Sequence, residues 1–419
     1  MISHVPFFYG WVIVLVGTLG SVMMGPSQTF TVSLFIDSFV ADLGMSRASV
    51  SLFYGVATFA ASLLLPLTGR LVDRYGSRKL IVVDALVFGV AVMALSLVNG
   101  PWSFLLIMLA VRFLGFGSMQ LVSSNIIAQW FVRRRGLVMG ILSQALAISL
   151  FVYPTLSNGL IEHLGWRGAW VALGALALVV MLPAGWLFFR DRPELYGLHP
   201  DGSWLVAPAD VSGPEEHWTL DEARRTPIFW LFAVAVAVAT MLLAGMVFHQ
   251  ASLFAVRGMD RGMAVAGFQF TALFAIVGNL GMGYLIDRVS ARRLLQVEML
   301  LLAISMLLIQ QMTGWGGVLL YGALTGLCSG GNRVIDTTVW AKYFGRRHLG
   351  AIRGATMIGT VGGAALGAYP LGLSYDLTAS YNPALTALIV LPAAIALAAF
   401  WVQRPTRRSA VVAQEIAHV

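Results

Sequence analysis

The chain has 419 residues, 58% of them hydrophobic and only 11% charged, against about 25% charged in a typical soluble domain. A soluble globule must keep a wettable skin, so this composition, with a mean hydropathy of +0.81, points to lipid as the main solvent. The single cysteine, Cys328, excludes an intrachain disulfide framework and a multi-thiolate metal site. The seven histidines are scattered. With no H-E-x-x-H, Walker loop or G-x-S-x-G turn, no metal or cofactor is expected, and an enzyme has no motif behind it.

A spanning helix needs about 20 mostly apolar residues. Twelve such stretches are predicted, at 8–34, 48–69, 80–98, 103–130, 137–160, 168–189, 228–255, 264–285, 294–312, 316–341, 351–373 and 383–402. The predicted fold class is therefore all-α, a polytopic membrane protein with twelve transmembrane helices. The first apolar run is too long, and lacks a basic flank, for a cleavable signal peptide. Asn99-Gly100-Pro101 and Thr313-Gly314-Trp315 read as tight turns. The long polar stretch 190–227 divides an N-terminal six-helix bundle (1–189) from a C-terminal one (228–402), which a tail at 403–419 follows. That stretch ends in Thr219-x-x-Glu222, a capping-box pattern that predicts a short amphipathic helix on the membrane surface.

Basic residues fix an expected orientation. Of the 27 lysines and arginines, 21 are counted on one side, Arg353 at the start of the eleventh stretch among them as a loop charge, while Arg47, Arg167, Arg257 and Arg261 fall on the other and Arg112 and Arg333 lie well within spans. The richer side is expected to be cytoplasmic and to hold both termini, in a plasma membrane of the bacterial inner-membrane type. The net charge of +8 is then accounted for by topology and anionic lipid, and no nucleic-acid partner is expected.

The two halves repeat. Gly69-Arg70-Leu71-Val72-Asp73-Arg74 returns as Gly283-Tyr284-Leu285-Ile286-Asp287-Arg288 at an offset of 214 residues. The same offset relates Gly44-Met45-Ser46-Arg47 to Gly258-Met259-Asp260-Arg261 and Asp84 to Glu298, and an offset of 213 relates Gln129-Trp130-Phe131 to Lys342-Tyr343-Phe344. Both halves begin on the same side, so the repeats are parallel, one of the known transporter architectures.

Gly69-x-x-x-Asp73-Arg74-x-Gly76-x-Arg78-Lys79 resembles the signature loop of the major facilitator superfamily, with Gly283 to Arg293 as a degenerate second copy. Arg112-Phe113-Leu114-Gly115-Phe116-Gly117 is similar to that superfamily's fourth-helix motif. A narrower resemblance, to the branch of monocarboxylate transporters and oxalate–formate antiporters, rests on Tyr9-Gly10-Trp11-Val12, Leu43-Gly44-Met45-Ser46-Arg47 and Arg192-Pro193-Glu194 leading to Pro200-Asp201-Gly202. The resemblance implies that helices 1, 4, 7 and 10 line a central cavity.

Asp73 at the end of helix 2 can accept hydrogen bonds from a helix N-terminus in the other half, and Arg74, Arg78 and Lys79 can pair with it or with Asp84. Together with the repeated Asp287, Arg288, Arg292 and Glu298, this predicts a latch that joins the halves when the cytoplasmic side is closed; the alternative is plain positive-inside anchoring.

Ionisable residues inside spans are costly unless paired or hydrated, which makes them functional candidates. Arg333 lies nine residues before Lys342, roughly 13 Å along a helix at ~1.5 Å per residue, and is expected near the midplane opposite its repeat partner Gln120. It can hold a carboxylate bidentately, or it can be neutralised by Asp336, three residues on. His249 can bond a substrate or carry a proton, or serve in packing. Arg112 is implied by the superfamily motif to organise helices or take part in coupling. Gln28, Asn125, Tyr153 and Asn332 are polar candidates at cavity helices or expected kinks: Gly25-Pro26, Tyr153-Pro154, Gly330-Gly331 and Tyr369-Pro370. The glycines of 359–367 are expected to permit close helix packing.

One departure from the narrower family matters. Where those relatives carry a carboxylate-binding arginine in helix 8, this chain has Asn279, and where monocarboxylate transporters carry an acid one turn earlier it has Ala275. The expected function is secondary transport of a small organic anion, a monocarboxylate or related carboxylate, by a monomer that uses alternating access. No nucleotide motif is present, so an ion gradient is expected to drive any accumulation, with proton symport as the default. The alternatives are an exporter of amphipathic drug-like compounds and a membrane receptor that does not transport.

Overall fold

The computed structural model describes residues 7–131, 134–202, 218–286, 288–345 and 349–402, with the side chains at 73, 128, 135, 136, 349 and 350 left aside. Among the described residues the secondary structure is entirely helical. Among the described residues, nine helical stretches are long and apolar enough to cross a membrane. One of them, within Arg135–Phe188, runs for 54 residues, about 80 Å if straight, far beyond a hydrocarbon core of about 30 Å. It is two spans folded back at Gly165, whose φ of +69° needs a residue without a Cβ. Gly314–Phe344 and the pair Leu349–Leu366 and Ala368–Thr378 are long enough to span but more polar. The described residues thus hold the twelve expected spans, most with ends within a few residues of the sequence reading.

Breaks inside spans follow backbone chemistry. The first span runs Gly10–Met23, turns through Gly25–Ser27 and resumes as Thr29–Ser33. Pro26 removes a donor there, and the Tyr153 ring fills the space where a Cβ on Gly25 would stand. The second span is divided between Arg47–Leu63 and Leu65–Tyr75 at Pro66. The fourth begins as Pro101–Val111, winds as a π-helix over Arg112–Met119 and ends as Gln120–Trp130. Such windings are frequent at functional sites. The eleventh is interrupted at Gly367, three residues before Pro370.

Gly330 and Gly331, expected to kink the tenth span, do not: Gly314–Phe344 is continuous. They lie at a close helix contact instead. A Cβ on Gly330 would overlap the Ala275 carbonyl, and one on Gly326 would stand 2.5 Å from the Thr271 carbonyl, so the eighth span, Arg261–Ile286, packs backbone to backbone on the tenth. Gly363 and Gly367 do the same for the eleventh span against Ala237 and Met241 of the seventh, Pro227–Val256.

Two buried cores result. One gathers Phe35, Phe39, Phe104, Trp130 and Trp170 from the first six spans, with Phe35 stacked on Trp170 at 4.1 Å between centroids. The other gathers Phe229, Tyr321, Trp340, Phe344 and Tyr381 from the last six. The expected capping box forms: Thr219 N donates to Glu222 Oε2 at 2.8 Å and Glu222 N to Thr219 Oγ1 at 3.3 Å, starting the single turn Leu220–Ala223.

The halves meet at the end of the bundle opposite the basic loops, here called the distal end. Arg47 N and Ala48 N donate to Asp376 at 3.2 and 2.7 Å. Ser252 Oγ donates to Asp37 Oδ1 at 3.1 Å, Arg261 Nη2 to the Leu34 carbonyl at 2.6 Å and Gln269 Nε2 to Thr155 Oγ1 at 2.9 Å. Among the described residues no hydrogen bond joins the halves at the basic end. This is the conformer with its distal end closed.

Candidate functional site

A cavity of about 360 Å³ lies between the halves. The first span contributes Gln28, Thr29 and Phe30, and the fourth Arg112 and Phe116. Thr240, Leu243 and Val247 come from the seventh, and Asn332, Arg333 and Asp336 from the tenth. A smaller crevice, about 40 Å³, opens between the fifth, eighth and tenth spans and is lined by Ser143, Gln144, Asn279, Ser329 and Arg333. Arg333 borders both.

The Arg333 side chain has no hydrogen-bond or ion-pair partner among the described residues; its carbonyl accepts from Thr337 Oγ1 at 3.0 Å. The same-helix pair with Asp336 that the spacing allows is not made. Asp336 Oδ2 instead lies 4.0 Å from Arg353 Nη2 of the eleventh span, and its Oδ1 accepts from Trp340 Nε1 at 3.4 Å. A guanidinium thus faces the cavity with its fork of donors open.

Arg112 is the opposite case. It is 3% exposed and held from three spans: Nε donates to Thr58 Oγ1 at 3.0 Å, Nη1 to the Ser27 carbonyl at 2.6 Å, and its Cζ lies 4.4 Å from the Phe116 ring centroid and 5.1 Å from that of Tyr54. It organises the first, second and fourth spans and still borders the cavity. Asn332 Nδ2 donates to Thr240 Oγ1 at 3.2 Å. Its Oδ1 and the Nε2 of Gln28 are buried without partners among the described residues, and both residues line this cavity. One orphan accepts and the other donates, so each is available to a ligand.

His249 is not on the cavity wall in this conformer. It is fully buried in the distal seam, where Nε2 lies 2.9 Å from the Ala368 carbonyl and 3.1 Å from Ser51 Oγ, and Nδ1 3.5 Å from Tyr381 Oη. Gln120 ends the π-helical segment and Tyr153 packs on Gly25 with its hydroxyl 3.9 Å from Met23 Sδ; neither lines the cavity. Asn279 lines only the crevice.

At the basic end, Arg78 N donates to Asp191 at 2.8 Å and its side chain to the Trp186 carbonyl at 2.9 Å. Arg74 lies over Tyr75 and Arg288 over Tyr284. Asp84 and Glu298 do not join these surface charges in this conformer. They sit within their own halves, because each lies about two turns inside its helix. Asp84 accepts from Ser118 Oγ at 2.5 Å, and neither carboxylate oxygen of Glu298 has a partner among the described residues. The side chain of Asp73 and the whole of Asp287 lie outside the described residues.

Sequence reasoning missed Arg353, which it counted as a loop charge, and Asp376, whose role depends on a partner 329 residues away. Only the three-dimensional approach of the helices marks either.

Among the described residues, twelve spans around a cavity with a few polar groups on its wall define a multi-pass membrane protein. The chain belongs to the Major Facilitator Superfamily, whose family model matches residues 14–368. Monocarboxylate transporter 9 of Rattus norvegicus is 28% identical over 176 residues, 41% of this chain and 34% of that protein. The membrane sensor protein UhpC of Salmonella typhimurium is 25% identical over 213 residues, 49% of this chain and 46% of that one. A quinolone resistance transporter of Acinetobacter baumannii is 31% identical over 154 residues, 34% of each chain. The chain spans between a third and a half of the length of these relatives. Among solved structures, a bacterial homolog of the human lysosomal transporter Spinster, inward-facing and occupied, matches with a TM-score of 0.73 at 17% identity over 95% of this chain and 97% of that one. The nucleoside transporter NupG matches at 0.72, with 11% identity over 94% and 99%. These likenesses show the fold.

Proposed function

We propose that the protein transports a small organic anion, a monocarboxylate or related carboxylate, with Arg333 as the anion site. The observation that carries this is the open guanidinium of Arg333 on the cavity wall, while the acid three residues on lies 4.0 Å from Arg353. Fork-shaped donors suit a planar carboxylate. Gln28 Nε2 and Asn332 Oδ1 offer a donor and an acceptor to a second polar group of the substrate, and Asn279 lies beside Arg333 in the crevice. The match to a monocarboxylate transporter agrees with this reading.

Transport proceeds by rocking of the two halves, with the basic end cytoplasmic. A proton gradient supplies the coupling, through Asp336 in the cavity and His249 in the distal seam, with Arg112 holding the helices between them. The apolar lining (Phe30, Phe116, Leu146, Leu243, Val247) favours a second reading, export of amphipathic compounds, to which the quinolone resistance relative also points. Uptake of a panel of labelled carboxylates into proteoliposomes under imposed pH gradients decides. Saturable uptake lost in Arg333→Gln supports the anion reading. Transport of quinolones but of no carboxylate supports the other.

A further inference from the structure

We propose that Arg353, with Trp340, is a positioning residue for the anion site: together they draw Asp336 aside and keep the Arg333 guanidinium open. The inference deepens the reading of Arg333 as the anion site and rests on it.

Arg333 and Asp336 are three apart on one continuous helix, a spacing at which opposite charges meet. An arginine within a span gains from a counter-ion, so the default is a pair between the two. Such a pair occupies the guanidinium with an internal carboxylate and competes with any transported one.

The structure departs from that default through two contacts, each on a different carboxylate oxygen. Trp340, one turn further along the same helix, donates its indole N–H to Oδ1 at 3.4 Å. Arg353, on the neighbouring helix, approaches Oδ2 at 4.0 Å. The indole orients the carboxylate and the guanidinium supplies the charge that replaces Arg333. Among the described residues no other basic side chain lies within 4.0 Å of Asp336.

The device depends on two helices. Trp340 moves with Asp336, whereas Arg353 belongs to the eleventh span, Leu349–Leu366. When the eleventh span shifts from the tenth, Asp336 loses Arg353 and is released toward Arg333. The acid that was held aside then displaces the bound anion. Rearrangement of the helices is thereby linked to anion affinity without any new group entering the site.

The test reads Arg333 itself and needs no knowledge of the substrate. The purified full-length protein is treated with 2,3-butanedione, and the rate of modification at Arg333 is followed by peptide mass spectrometry. An arginine paired to a carboxylate reacts more slowly than an open one. Arg353→Gln is expected to slow modification of Arg333 roughly fivefold, the scale of one partly screened ion pair. Arg353→Lys, which keeps the charge, is expected to restore most of the rate, and the double change Arg353→Gln with Asp336→Asn all of it. An Arg333 rate unchanged in Arg353→Gln would overturn the proposal. So would equal slowing in Arg353→Gln and Arg353→Lys, which would make lost packing the cause. The anion reading is judged separately, by uptake in Arg333→Gln.

Discussion

The carboxylate of Asp376, near the end of the eleventh span, accepts from the first two backbone amides of the helix that begins at Arg47, at 3.2 and 2.7 Å. A side chain of one half thus caps a helix of the other, where unpaired amides and the helix dipole favour negative charge. Gly372 makes the approach possible, since a Cβ there would stand 2.9 Å from the Arg47 carbonyl. The Arg47 side chain completes the joint by donating to Asp37 at 2.6 Å and lying over Tyr375.

Asp376→Ala is therefore expected to loosen the distal end without unfolding either core. Loss of a cap costs roughly 1 kcal/mol, or about fivefold in the population of the distal-closed conformer. Spin-label distances between positions 44 and 379 should lengthen. An unchanged distance distribution would mean that packing alone holds the seam.

Arg112 and Arg333 are both cavity arginines, yet they should respond oppositely to removal. Arg112→Met strands the Ser27 carbonyl and Thr58 in a buried place, and stranded polar groups cost about 1–3 kcal/mol each. Arg333→Met strands nothing among the described residues. Thermal unfolding in detergent should show a clear loss for Arg112→Met and little or none for Arg333→Met. Equal losses would contradict the assignment of the first to organisation and the second to ligand.

Glycine contacts between the eighth and tenth spans give a further expectation. Gly330→Ala forces its methyl group against the Ala275 carbonyl, whereas Gly281→Ala meets nothing within 4 Å. Overpacking of this kind costs about 1–3 kcal/mol, so thermal stability should fall for the first and hold for the second. Similar stabilities would show that the two helices separate freely.

Proton coupling divides between two places. Asp336 borders the cavity and His249 lies in the distal seam. Asp336→Asn is expected to abolish pH-driven accumulation while counterflow persists. His249→Gln should instead change the exchange rate between conformers, because it removes bonds to Ala368 and Ser51. Accumulation on a proton gradient in both variants would place the coupling elsewhere.

The spans, the break at Gly25-Pro26 and the Thr219 capping box were legible in the sequence because apolar length, proline and capping chemistry act locally. The close packing at Gly363 and Gly367 was legible for a similar reason, as a stripe of small residues. Gly330-Gly331 was not, since two glycines serve a kink or a close contact equally well and only the neighbouring helix decides. The partner of Asp336 was also out of reach. Spacing on one helix favours Arg333, and the tertiary approach of Arg353 overrides it. The sequence left His249 open between a ligand or proton carrier and a packing residue, and its place in the seam follows from packing with Ala368 and Tyr381.

The central claim is that Arg333 receives the transported anion. Its most direct test is the affinity of Arg333→Gln and Arg333→Lys for whichever labelled carboxylate the native protein takes up in proteoliposomes. Loss of one partner from a charge-assisted pair costs roughly 2–5 kcal/mol. Arg333→Gln should therefore bind at least about tenfold more weakly, at ~1.4 kcal/mol per decade. Arg333→Lys should recover little, because an ammonium lacks the planar fork. Native affinity and uptake in a stable Arg333→Gln protein would contradict the account and return the anion site to Gln28, Asn332 and Asn279.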